Sequence, residues 1–223
     1  MENTLYQTQI PRRRFNMKNS SKHLSIPGRA IRLLVLVSAA ALAACSTMQA
    51  TDTGFLTNRS EMTKSQDGST AYYRSATPVD PHQVRSISVE WAIPKDSGLS
   101  LLEATRLKAA LEAAISREAQ ALPQVVGGHA VDIRAVITRV ESVSPALNIA
   151  AAVLLTVPLD RGGAAVEIEV LDTETRQPLA SMAHAYFAPL SEFKARFSRL
   201  APAELALNTA AVELARLLRP AAY

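Results

Sequence analysis

The 223-residue chain has a single cysteine, Cys45, so neither an intramolecular disulfide nor a multi-cysteine zinc site can form. Aromatic residues make up only 5% of the sequence, too few for a carbohydrate-stacking platform or a single-strand nucleic-acid groove. Glycine is sparse as well. Gly127-Gly128 and Gly162-Gly163 are isolated pairs that read as turns and not as a phosphate-cradling loop. The Gly-x-Ser-x-Gly elbow of a hydrolase nucleophile is absent from the sequence. Charge of one sign is also lacking where it would matter. The formal +4 comes from the first 44 residues, which carry seven basic side chains and one acid, Glu2. From Cys45 onward 17 basic residues face 19 acidic ones, which removes a nucleic-acid footprint from consideration. No apolar run is long enough to cross a bilayer as a helix, for which about 20 residues are needed.

The longest apolar run is nevertheless informative. Leu33 to Ala44 is 12 residues with Ser38 as its one polar member, and a basic stretch ending at Arg32 precedes it. A basic flank followed by a short apolar core is the pattern of an export signal. Leu42-Ala43-Ala44-Cys45 follows, and it resembles the lipobox of bacterial lipoproteins. In that chemistry the Cys45 thiol takes up a diacylglyceryl group, and the small Ala43 and Ala44 admit the peptidase to the bond between Ala44 and Cys45. The class then acylates the new amino group. One acyl chain anchors marginally, at about 0.8 kcal/mol per buried methylene, whereas two or three hold a protein durably. Ser46, in place of Asp, is the residue that permits transport to the outer membrane in enterobacterial lipoproteins. The expected location is therefore the inner leaflet of the outer membrane, facing the periplasm. Arg12-Arg13-Arg14-Phe15 has the look of a twin-arginine signal but stands far from the apolar core. Met17 is the preferred true start, giving a 28-residue signal that ends at Ala44.

The remaining 179 residues fit one domain plus a tether. Residues 45–83 are polar and read as the lipidated N-terminus and a tether with short ordered pieces, with Gly54-Phe55-Leu56 an apolar island that docks on the domain. Residues 84–223 read as a single α+β domain. Ile87, Val89, Trp91 and Ile93 alternate with polar residues and predict a strand that Pro94 ends. Ser100-Leu101-Leu102-Glu103 is a capping box opening an amphipathic helix. Strands are expected around residues 131–138, 166–170 and 179–187, the last two joined as a hairpin across Asp172-Thr173-Glu174-Thr175. Pro202 and the Leu and Ala residues after it predict a closing helix. The expected architecture is strand-helix-strand-strand-strand-helix, a largely antiparallel four-stranded sheet with two main helices on one face.

Residues 145–158 break this pattern. They are almost wholly apolar, with Leu147, Ile149, Val153, Leu154 and Leu155 as candidate contact residues. A buried helix is the plain reading, and an exposed lipid or partner contact is the alternative. The titratable candidates carry little chemistry. His82, His129 and His184 lack partners at metal-ligand spacing. His184 reads as a rim residue, and Glu167 and Glu169, which share one strand face, read as a solvated pair.

Several stretches together resemble a proteobacterial lipoprotein family of unknown function, DUF3313. They are Gly54-Phe55-Leu56, the strand Ser86 to Ile93, Pro145-Ala146-Leu147-Asn148, Val166 to Asp172, and Phe193-Lys194 onward. The resemblance covers roughly residues 53–218, although Arg59, Ser60 and Met62 stand where the family often has an aromatic, Ser and Leu. It implies an envelope location and the extent of the fold, with no catalytic residue and no cofactor. The expected function is a noncatalytic, membrane-anchored accessory that binds an envelope protein. A lipid or small apolar ligand carrier using residues 145–158 ranks second, and a hydrolase without a recognisable motif ranks third. The oligomeric state is not encoded in any pattern found.

Overall fold

A computed structural model describes residues 50, 52–93, 97–155, 161–189 and 191–219. The path of the chain follows from one long helix between two strands. Strand β3 (Val79–Trp91) leads to α1 (Leu101–Gln120), which opens on the expected capping box. The Ser100 hydroxyl accepts from the Glu103 amide at 3.3 Å, and the Glu103 carboxylate accepts from the Ser100 amide at 2.9 Å. Twenty residues of helix run about 30 Å, enough to return the chain to the end where β3 began. Strand β4 (His129–Glu141) therefore pairs with β3 in parallel, with Val89 opposite Ala135. The short helix α2 (Pro145–Leu155) precedes β5 (Gly163–Asp172), and a tight turn joins β5 to β6 (Pro178–Phe187). Helix α3 (Ala201–Leu218) closes the chain, with Pro202 in its first turn.

The sheet has six strands, not four, and is mixed in direction. Its order is β1-β2-β6-β5-β4-β3, where β1 is Thr63–Lys64 and β2 is Thr70–Arg74. All pairs are antiparallel except β3 with β4. The two added strands come from the segment expected to be a tether. They are short and polar, so alternation over a useful window never develops in them. The parallel pair departs from the expected antiparallel arrangement because α1 is a full crossover connection. The expected hairpin between β5 and β6 is present. Its turn is held by the Asp172 carboxylate, which accepts from the Thr175 and Glu174 amides at 2.8 and 2.9 Å. The Thr175 amide bond, with the His129 ring and these neighbours, holds the Asp172 carboxyl at about 2.

Strands β3, β4 and β6 run toward one end of the sheet, here called the upper end, and β2 and β5 run away from it. The registers fix this: Gly163 pairs with both Phe187 and Glu141, and Thr70 with His184. Helices α1 and α3 cover one face. Leu107, Leu111 and Ile115 of α1, and Leu207 and Leu214 of α3, pack on Ile133, Ile137, Ile168 and Met182, all fully buried. At the lower end, buried Asp80 ties the start of β3 to the turn before β4, accepting from His82 N, Gln83 Nε2 and Val125 N. Burial alone would raise its pKa, but these bonds hold it below the usual carboxylate range.

Gly163 pairs with Phe187 of β6, and a Cβ there would lie 2.1 Å from the Tyr186 carbonyl oxygen. Gly163→Ala is expected to force the two strands apart and lower stability by about 3 kcal/mol. The urea midpoint measures this, and an unchanged midpoint contradicts the close approach.

Candidate functional site

Strand β5 lies inside the sheet, and all ten of its residues are buried. Its Val166, Ile168 and Val170 face the helices, so Glu167 and Glu169 face the opposite side. Both acids are 0% exposed, which corrects the expectation of a solvated pair. The cover is the segment from Asp52 to Arg59, a strap laid across the face away from the helices. Glu167 accepts from the Thr53 amide at 3.1 Å and from the Thr53 hydroxyl, and Arg59 stands 3.5 Å away. Glu169 accepts from the Thr57 amide at 3.0 Å, from the Thr57 hydroxyl, and from Arg134 Nε at 2.8 Å. Arg134 also donates to the Phe55 carbonyl at 3.2 Å, and its guanidinium lies 4.8 Å over the Phe55 ring. Ser181 donates to Asn58 Oδ1 at 2.7 Å, and Leu56 packs between Ala71 and Ala183.

All four carboxylate oxygens of these two acids are taken up by the strap, Arg59 and Arg134. They form a lock on the segment Asp52 to Arg59, in which each oxygen already accepts at least one hydrogen bond. Sequence reasoning placed Phe55 and Leu56 on the domain but missed the polar half of the contact. Alternation shows that two acids share a face, but not what covers that face.

His184 lies on β6 between Met182 and Tyr186, 6% exposed and thus not on the rim. Its Nδ1 meets the Thr70 hydroxyl at 2.9 Å, and its ring stacks on Tyr186 with 6.2 Å between centroids. Nε2 is buried without a hydrogen-bond partner. Burial lowers its pKa to about 4, with Asp67 pulling weakly in the other direction. His129 bonds Asp172, and His82 Nε2 meets the Leu122 carbonyl at 2.7 Å. The three histidines thus serve three separate local contacts. No group of three or more His, Cys, Asp or Glu among the described residues could hold a metal ion.

Two surfaces stand open among the described residues. The first is the free edge of β3, 13 residues long, beside a cavity of about 630 Å³. Pro81, His82, Val84 and Arg85 line it from the strand, and Glu112 and Ser116 from α1. The second is α2. Residues 145–155 are helical as the plain reading expects, but the helix is not buried: Leu147 and Ile149 are about half exposed, and Val153 and Leu154 are 78% and 79% exposed. Leu155 ends the helix, and residues 156–158 lie outside the described residues, as do Ala44, Cys45, Ser46 and Met17. No described helix is long and apolar enough to cross a membrane.

Among the described residues these features define an α+β domain of three α-helices and a six-stranded mixed sheet, with the segment Asp52 to Arg59 locked over buried acids. A family model described as a protein of unknown function, DUF3313, matches residues 51–214, and the chain belongs to that family. No curated protein matches the chain. Among solved structures it is similar to the PelC dodecamer from Paraburkholderia phytofirmans, at 7% identity and a TM-score of 0.40, over 67% of this chain and 98% of that one. A substituted PelC dodecamer from the same organism gives 10% identity and a TM-score of 0.39 over the same shares.

Glu169→Ala removes the partner of Arg134 and Thr57 together. It is expected to lower stability by about 3 kcal/mol, as for other broken buried pairs, and to open the strap to trypsin at Arg59. A strap that stays protected contradicts the lock. For His184 the sign follows from a folded pKa near 4 set below the ordinary 6.5. The unfolded chain binds the extra proton first, so stability falls as pH drops from about 6.5 to about 4, by on the order of 3 kcal/mol in all. His184→Leu should flatten that stretch of the urea-midpoint profile and leave the lower carboxylate stretch, that of Asp172 and Asp67, in place.

Proposed function

We propose that the protein is a noncatalytic lipoprotein of the bacterial cell envelope. It is anchored through acylated Cys45 in the inner leaflet of the outer membrane and binds a partner protein along β3 in the periplasm. The observation that carries the binding half is the long open edge of β3. An edge strand offers a row of backbone donors and acceptors to an extended segment of another chain. The adjoining cavity, lined from both β3 and α1, gives that segment's side chains somewhere to sit. The buried acids support the noncatalytic half, because the strap and the arginines already use their oxygens.

A carrier of small apolar ligands is the second reading. The cavity volume lies within the usual range for small-molecule sites, roughly 300–1,000 Å³. Its walls come from β3 and α1, however, and not from the apolar α2 segment.

Intact mass and membrane fractionation of the wild type beside Cys45→Ala test the anchor. The wild type is expected to begin at an acylated Cys45 and to sediment with outer membrane, and the variant to be uncleaved or soluble. Photo-crosslinking residues placed at Arg85 and Glu90 test the edge. Both are expected to trap the same envelope protein, with no adduct from Glu174 at the lower turn. Equal labelling at all three positions removes the edge from the reading. An apolar small molecule that native mass spectrometry finds bound to the wild type, and absent from Ala113→Trp, replaces it with the carrier.

A further inference from the structure

The apolar residues left in solvent are not scattered. Eight large hydrophobic side chains are exposed among the described residues, and six belong to the upper end: Leu101, Leu102, Leu147, Ile149, Val153 and Leu154. Helix α1 begins at that end. Arg199 gathers the neighbourhood, donating to the Gly98 carbonyl at 2.6 Å, pairing with Glu103 at 3.1 Å, and accepting from the Val143 amide through its carbonyl. The start of α1, the link into α2 and the segment before α3 therefore meet there.

Helix α2 is inverted relative to an ordinary surface helix. It carries no charge, and its one polar residue, Asn148, is fully buried, while Leu147, Ile149, Val153 and Leu154 point outward. A helix packed beside water buries its apolar stripe and exposes its polar one. A helix whose outer neighbour is apolar has reason to do the reverse.

The chain itself points to that neighbour. Ala50 donates to the Gly68 carbonyl in the turn between β1 and β2, which lies at the upper end because Thr70 pairs with His184 and the Ala185 amide donates to Ser69. Cys45 is only five residues earlier. Five residues span at most about 18 Å when fully extended. Whatever holds Cys45 is therefore within one short stretch of the same end that exposes the six apolar side chains.

We infer that the upper end is a membrane-seating face: α2 and the first turn of α1 rest among the headgroups and upper acyl chains of the leaflet that holds Cys45. This rests on the lipoprotein reading of Cys45 and adds a fixed orientation to it. The seat is interfacial and does not span, since α2 has only 11 residues. The lower end, with the Asp172 turn and the groove beside β3, faces away from the bilayer.

The test uses the acylated full-length protein in phosphatidylethanolamine–phosphatidylglycerol vesicles. Acylation blocks the Cys45 thiol, so a cysteine introduced as Leu102→Cys, Val153→Cys or Glu174→Cys takes an environment-sensitive fluorophore at one site. Spin-labelled lipid is expected to quench the labels at positions 102 and 153 at least about twofold more than the label at 174, as for side chains seated 5–10 Å into the interface. Adding Leu154→Glu together with Ile149→Glu should reduce quenching at 102 while the protein still floats with the vesicles. If the protein floats but all three labels are equally unquenched, the seating face is wrong and the anchor stands. If the label at 153 is shielded without lipid quenching and the protein runs as a dimer, a second copy covers α2, and the inference is likewise overturned. If the protein carries no acyl chain and does not float, the reading of Cys45 fails and the inference falls with it.

Discussion

Two carboxylates buried in the middle of a sheet govern the rest of this structure. A charged side chain removed from water carries a desolvation penalty of several kcal/mol unless charge and hydrogen bonds replace the solvent. Glu167 and Glu169 sit side by side on β5, which has neighbours on both sides and a helix layer on one face. Their partners can come only from the other face. The sheet supplies Arg134 from β4, and the chain before β1 supplies the rest through Thr53, Thr57 and Arg59. The strap is thus required by the sheet it covers, and its polar amides and hydroxyls match acceptors that an apolar cover would strand. Phe55 and Leu56 add burial, but they would fit many apolar surfaces. The acids are what fix the strap in one register.

Much of the fold could be read in the sequence because its physics is local. The capping box at Ser100 and Glu103 forms as four adjacent residues dictate. Alternation marked β3 through β6, and their true ends lie a few residues beyond the apolar core of each pattern. What remained hidden is nonlocal. The polar residues of β1 and β2 become strands only because β6 offers an edge to pair with. The direction of β4 depends on the length of α1, which decides the end at which the chain re-enters the sheet. Glu167 and Glu169 look identical whether water or a strap lies over them. His184 looks like a rim residue until Thr70 and Tyr186 close around it. The α2 segment shows the same ambiguity from the apolar side, since composition gives its helix and its unusual hydrophobicity but not which way the surface faces.

The lock also couples two parts of the molecule that a flexible tether would keep independent. A tether of the kind expected from composition would let the domain tumble beneath its anchor over tens of ångströms. Here Ala50 already bonds the turn between β1 and β2, and the strap from Asp52 onward is held by hydrogen bonds to the interior of β5. If Cys45 is the anchor, the five residues that separate it from Ala50 reach at most about 18 Å when fully extended, too short for the domain to present its lower end to the leaflet that holds it.

The proposed orientation would give the two open surfaces separate tasks. The groove is lined by residues 81–87 of β3 and 109–120 of α1, toward the start of the strand and the end of the helix. Both lie at the lower end, opposite α2. With α2 and the first turn of α1 against lipid as proposed, the groove and the lower part of the β3 edge would project into the periplasm. An edge strand left open in solution is an aggregation hazard. In the proposed seating, with acyl chains at one end and an apolar face on the leaflet, two copies would share an orientation, so their β3 edges could not approach in the antiparallel sense that a two-fold pairing requires. An anchor of the proposed kind would thereby remove the simplest wrong partner and leave the edge to a chain that arrives from the periplasmic side.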